Sequence, residues 1–120
     1  MTQNPLKNHQ YIIADHIRPI CFIVADGVLP SGKGRGYILR RLMRRLMASS
    51  LALGIDIKQD EYFAELVDNI VEVYRGVYDE VGACRETIVS ILLQESVKYQ
   101  KAITTGEKEW AKIFKTGQVS

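Results

Sequence analysis

DGVLPSGKGRGYILRRLMRR, residues 26–45, is the stretch whose reading decides the fold. Its first half is turn chemistry: Pro30 and Ser31 stand among glycines at 27, 32, 34 and 36. Its second half is a two-faced helix. With Leu39 at the centre of a helical wheel, Leu42, Met43 and Leu46 fall within about 60° of it. Arg40, Arg41, Arg44 and Arg45 fall between about 100° and 240°, on the opposite side. A helix is therefore expected from about Tyr37 to Leu53, with Gly54 as its stop. The stretch holds six basic residues and, after Asp26, no acid.

Upstream, Ile13, Ile17, Ile20, Cys21 and Val24 recur at helical spacing, predicting a first helix from about Gln10 to Ala25. Pro19 lacks an N–H and crowds the preceding turn, so a kink is expected there. Asp26-Gly27 ends this helix. Residues 1–9 read as a loose leader. Downstream, a third helix is expected from Glu61 to about Tyr78, with Asp60 as its N-cap. Its apolar side is Phe63, Leu66, Val67, Ile70, Val73, Tyr74 and Val77. Gly82 marks a turn. A fourth helix follows from about Ala83 to Thr105, with Cys84, Ile88, Ile91, Leu92, Tyr99 and Ile103 as its stripe and Glu95 intruding. Gly106 either ends this helix or is carried through it. Trp110, Ile113 and Phe114 suggest a last helical turn, and residues 116–120 a frayed end. No strand period, repeat or linker appears. The fold expected is a single all-α domain of four to five helices, with a Gly-rich loop between the first two.

Composition is that of an ordinary globular domain: 120 residues, 47% hydrophobic and 25% charged, enough for a modest core. No apolar run reaches the length of a membrane span, and the N-terminus lacks a secretory pattern. A cytoplasmic protein is expected, or a mitochondrial matrix one if a presequence was removed. Cys21 and Cys84 lack metal-ligand spacing and read as buried, reduced cysteines. The net charge of +2 conceals its distribution. Residues 1–30 are neutral, residues 31–50 carry +6 and residues 51–120 carry −4. That asymmetry points to one localised anionic partner.

Gly27 to Lys33 matches the opening of a nucleotide-triphosphate loop, GxxxxGK. The next residue is Gly34, however, not a magnesium-binding Ser or Thr, and a helix rather than a strand precedes it. The alternation Gly32-Lys33-Gly34-Arg35-Gly36 still suits an anion, because glycine lets backbone approach closely and the loop feeds a helix N-terminus. A plain turn explains it equally well. The arginine face is the stronger signal. Four arginines without acids in i±4 reach repel one another unless an anion or neighbouring carboxylates offset them, and Asp68, Glu72, Asp79 and Glu80 are at hand. Arginine throughout favours forked contacts to phosphate or carboxylate. His16 reads as a structural, hydrogen-bonded histidine. With two histidines, neither a catalytic triad nor a metal site can be assembled, so no catalytic and no metal residue is assigned.

ADHIR at 14–18, followed after six residues by ADGVLPSGKGRGYILRRLMRR at 25–45, resembles the start of the helical tRNA-recognition region of alanyl-tRNA synthetases. The family pattern is ADH-x-R, an apolar spacer, then ADG-V-x-P-S-N-x-G-R-G-Y-V-L-R-R-x-x-R-R. QESVKYQKAITTG at 94–106 resembles the family's glutamate-rich segment with its closing TL-x-x-G. The resemblance covers residues 10 to about 115.

It implies an RNA-binding part of a ligase of protein biosynthesis, docking the acceptor stem of alanine tRNA against a neighbouring catalytic domain. Gly32, Lys33, Arg35, Arg40, Arg41, Arg44 and Arg45 are the implied tRNA-binding positions. Asp15, His16, Arg18 and Asp26 are the implied structural or domain-interface positions. In the family a class II catalytic domain using ATP and magnesium precedes this region. A zinc-bearing editing domain and an oligomerisation domain follow it. The chain therefore looks like a middle domain, excised or split from the rest, without cofactors of its own and inactive alone. One departure stands out. The family's asparagine after Pro-Ser reads a G·U wobble pair, and here that position is Gly32. Its partner aspartate is expected beyond this C-terminus. Weaker dependence on the wobble pair follows. The alternative is a non-catalytic helical module whose basic face binds an acidic protein or nucleic acid in general.

Overall fold

A computed structural model describes the backbone of residues 5–116 and side chains through residue 109. Expectations for residues 1–4 and 117–120, and for the side chains of Trp110, Ile113 and Phe114, lie outside the described residues. Five helices form: α1 (Pro5–Ala25), α2 (Gly34–Ala52), α3 (Asp60–Val73), α4 (Glu80–Ala83) and α5 (Arg85–Thr116). No strand occurs among the described residues. The chain is all-α, as its periodicity requires.

Helix α1 is already formed at Pro5, the first described residue, ahead of the expected start near Gln10. His9 Nδ1 lies 3.1 Å from Ser49 Oγ and ties α1 to α2. The helix runs unbroken through Pro19 and buries Ile13, Ile17, Ile20, Cys21 and Val24. Gly27 ends it in a left-handed turn at φ 91°. The Gly27 N–H donates to the Val24 carbonyl at 2.8 Å, and the Val28 N–H to the Ile23 carbonyl at 3.3 Å. This double closure satisfies carbonyls that the last turn leaves open.

The most extensive packing is α1 on α2, followed by α3 on α5, with α2 also meeting α5. Leu39, Met43, Leu46 and Met47 from α2 are fully buried with Ile20 and Cys21 of α1, Phe63 and Val67 of α3, and Ile88 and Leu92 of α5. Each such side chain contributes about 1.5–3 kcal/mol relative to exposure. Burial pushes the Cys21 thiol up to about 12, so it behaves as a small apolar residue. Cys84 is free but only half-buried, contrary to the expected full burial. Ser50 Oγ, bonded to the Leu46 carbonyl at 2.8 Å and to Tyr62 Oη at 2.5 Å, joins α3 to α2.

The later elements depart from the expected boundaries. Helix α3 stops at Val73, and Gln59 rather than Asp60 occupies the N-cap position. Gly76 then turns the chain at φ 79°, and its N–H donates to Asp79 Oδ1 at 2.8 Å. Val73 and Val77 are consequently 69% and 80% exposed, not part of the core stripe. Gly82, expected as a turn, lies inside α4. A Cβ there would press on the Val71 side chain, so its smallness serves α3–α4 packing. Helix α5 passes through Gly106 and extends to Thr116.

Candidate nucleic-acid interface

The loop between α1 and α2 is pinned by its own backbone. The Ser31 N–H donates to the Gly36 carbonyl at 3.0 Å, and Ser31 Oγ donates to the Lys33 carbonyl at 3.0 Å. Gly36 is buried, and a Cβ there would collide with the Ser31 side chain and the Leu29 carbonyl oxygen. Gly34 sits at φ 63°, in the left-handed region. Gly32 differs from both: its backbone is ordinary and open space surrounds its Cα hydrogens. Two of the three alternating glycines are required by geometry, and the third is not.

This closure sets the loop beside the arginine face. An open groove of about 490 Å³ is lined by Ser31, Gly32, Tyr37, Arg40, Arg41, Arg44, Arg45, Ala48 and Tyr99. Five of the seven implied tRNA-binding residues therefore share one surface. Lys33 and Arg35 do not line it. Lys33 is exposed at the N-cap position of α2 in extended conformation. Arg35 Nη2 donates to Asp26 Oδ2 at 3.1 Å, an exposed pair that clips the two ends of the loop together.

The four arginines fall into two rows. Arg40 and Arg44 lean toward α5, where Glu95 Oε1 lies 3.0 Å from Arg40 Nε and 3.4 Å from Arg44 Nε. The first contact is a hydrogen bond. The second is an ion pair without hydrogen-bond alignment, since Arg44 Nε has no hydrogen-bond partner. Glu95 is 2% exposed. The Arg44 guanidinium also lies 5.9 Å from the centre of the Tyr99 ring. Arg41 and Arg45 are exposed, and Arg41 lies 5.8 Å from the Tyr37 ring centre. Positive charge beside aromatic faces is attracted by the ring quadrupole.

The sequence offers four other acids as partners for this face, and the structure uses none of them there. Asp68 receives Arg85 at 2.8 and 3.1 Å, Glu72 pairs with Arg75 at 2.7 Å, and Asp79 accepts the Gly76 N–H. Glu95 was the missed residue. Its signal was present: an acid interrupting the apolar stripe of α5.

The remaining implied positions scatter along α1. Asp15 and Arg18 are exposed. Arg18 borders a separate cleft of about 530 Å³ between α1 and α3, with Ile13, Ile17, Tyr62 and Leu66 in its walls. His16 corrects the expectation of a hydrogen-bonded ring, because both buried nitrogens lack a well-formed bond. Burial, then the nearby Arg45 charge, holds its pKa below the ordinary histidine range, against smaller opposing effects of the Ile12 backbone and Asp15. Among the described residues, no three His, Cys, Asp or Glu side chains converge as metal ligands. No described helix is long and apolar enough to cross a membrane.

Comparison with known proteins gives a consistent result. The family model for tRNA synthetases class II (A) matches residues 2–119. An alanine–tRNA ligase of Borreliella afzelii (strain PKo) is 42% identical over 104 residues, covering 85% of this chain and 17% of that protein. The alanine–tRNA ligase of Xanthomonas oryzae pv. oryzae (strain PXO99A) is 35% identical over 107 residues, or 89% of this chain and 12% of that protein. That of Nitrosomonas eutropha is 35% identical over 106 residues, 88% and 12% respectively. The chain spans less than a fifth of the length of these relatives.

Proposed function

The chain belongs to the class II (A) tRNA synthetase family, and from that premise we propose that it docks the acceptor stem of alanine tRNA for an alanine–tRNA ligase. The groove carries this reading: Gly32 of the loop, four arginines of α2 and two tyrosines converge on one open, cationic surface. Arginine forks suit phosphate oxygens, and a basic groove collects the backbone of a stem without reading its sequence. Tyr37 and Tyr99 offer flat faces at its edges.

The reaction itself is assigned to a neighbouring catalytic domain. ATP and magnesium belong with that domain, and zinc with an editing domain. The role of this chain is positional: it holds the stem so that the tRNA 3′ end reaches the active site. A cytoplasmic place of action goes with this role.

Gly32 bears on specificity. No base-reading side chain stands at that point of the loop, and the space around it is open. The stem is held chiefly through phosphate, and the wobble pair weighs less than the family pattern implies. Supplying an alanine-activating catalytic domain in trans tests the whole reading. Alanine charging of tRNA should appear with the wild-type chain and fall sharply with Arg40→Ala plus Arg44→Ala. Charging indifferent to both substitutions would remove the arginines from the role.

A further inference from the structure

Glu95 is the one fully buried acid among the described residues. It stands on α5 where the apolar stripe calls for a leucine, and burying a carboxylate costs several times what burying an apolar side chain returns unless partners offset it. Its Oε1 atom faces two arginine Nε atoms one helical turn apart, at 3.0 and 3.4 Å. Both arginines line the groove. Glu95 also borders a small cavity with Leu29 and Pro30 of the loop that frames the groove.

A guanidinium approached at Nε keeps four N–H bonds on its two Nη atoms. The hydrogen bond at Arg40 Nε fixes the plane of that fork and restricts its rotamers, while charge draws Arg44 to the same carboxylate. Without Glu95, Arg40 and Arg44 are like charges at i,i+4, which repel and spread apart. Tyr99, one turn beyond Glu95 on the same helix, supports the Arg44 guanidinium from the ring side.

We infer that Glu95 is a positioning residue: it orients Arg40 and Arg44 for forked contact with RNA phosphate, and so strengthens RNA binding although its own charge opposes it. The inference rests on the RNA-docking reading above. It makes a prediction of opposite sign from simple charge counting. Replacing Glu95 by the isosteric, neutral glutamine adds one net positive charge. Charge counting then gives tighter RNA binding, whereas loss of orientation gives weaker binding.

The test is a titration of an alanine acceptor-stem RNA hairpin with the 120-residue chain at several salt concentrations, with helicity followed by circular dichroism. Glu95→Gln should weaken binding about tenfold, the order of one charge-assisted fork, and flatten the salt dependence. In an Arg40→Ala plus Arg44→Ala background the same change should alter affinity less than about twofold, because Glu95 acts through those two groups. Arg40→Lys plus Arg44→Lys keeps charge and fold but loses the Nε contact, and should reproduce the loss should Glu95→Gln unfold. Unchanged or tighter binding by a folded Glu95→Gln, an equal loss in the double-alanine background, or full affinity in the double-lysine variant would each overturn the inference. Failure of the wild-type chain to bind the hairpin would instead remove the docking reading on which it stands.

Discussion

Arg40 and Arg44 sit one position from Arg41 and Arg45, yet the two pairs live in different settings. The inner pair is about one-third exposed and converges on a buried carboxylate, with an aromatic ring beneath one of its members. The outer pair is exposed, and no acid among the described residues is placed against it; a tyrosine lies beside Arg41, and a half-buried histidine sits in the field of Arg45. The same motif, Arg-Arg-x-x-Arg-Arg, thus produces one oriented pair and one adaptable pair. What separates them is which side of the α2 wheel meets α5. Fixed forks suit a phosphate at a set position, while free forks follow a backbone that varies.

The largest effect expected from this contrast is on stability. Glu95→Ala leaves two partly desolvated guanidiniums without their anion and should cost about 1–3 kcal/mol. Arg41→Ala or Arg45→Ala should stay within about 0.5 kcal/mol. Urea unfolding of the three variants compares them directly, and equal midpoints would erase the distinction between the rows. The loop carries a parallel contrast of similar size. Gly36→Ala forces backbone and Ser31 apart and should cost about 1–3 kcal/mol, whereas Gly32→Asn, in open space at ordinary φ, should be tolerated within about 0.5 kcal/mol. In hairpin binding, Arg40→Ala and Arg44→Ala should each lose about tenfold and Arg41→Ala and Arg45→Ala about threefold. A reversed order would place the phosphate contacts on the outer row.

The smallest effect concerns pH. Burial, then the Arg45 charge, holds the His16 pKa below the ordinary 6.5 in the folded chain. Above that value the histidine is neutral whether the chain is folded or not, and it contributes nothing. As pH falls below about 6.5 the unfolded chain binds the extra proton first, so stability declines toward the folded-state pKa. Comparing urea midpoints at pH 7.5 and 5.5, the wild type should lose more than His16→Gln. Arg45→Ala should lessen that loss, and an Arg40→Ala control should not.

Local pattern carried most of the fold. The arginine wheel, the buried side of α2 and the Gly27 stop depend on residues within a few turns of one another, and all are readable from spacing. Glu95 lies 55 positions from Arg40, so its partnership belongs to the packing of α2 against α5, and the sequence showed only that an acid broke a stripe. The end of α3 was hidden for the opposite reason. Tyr74 and Val77 continue the helical period beyond Val73, but Gly76 and the Asp79 bond to its N–H turn the chain first. Pro5 and Gly106 carry the signature of breakers, yet both lie within helices, the second well inside a long one. In the site, the match to the family motif brought seven residues forward together, and three-dimensional placement divided them. Five line the groove, while Arg35 is turned to Asp26 and Lys33 stands at the helix cap.

The most direct test of RNA docking is competition. The 120-residue chain is titrated with a labelled alanine acceptor-stem hairpin at physiological salt, in the presence of an excess of acidic protein. Retained binding that Arg40→Ala plus Arg44→Ala weakens about a hundredfold is the expected result. Binding that the acidic protein displaces completely, or that survives loss of both arginines, would contradict the assignment of this groove to RNA.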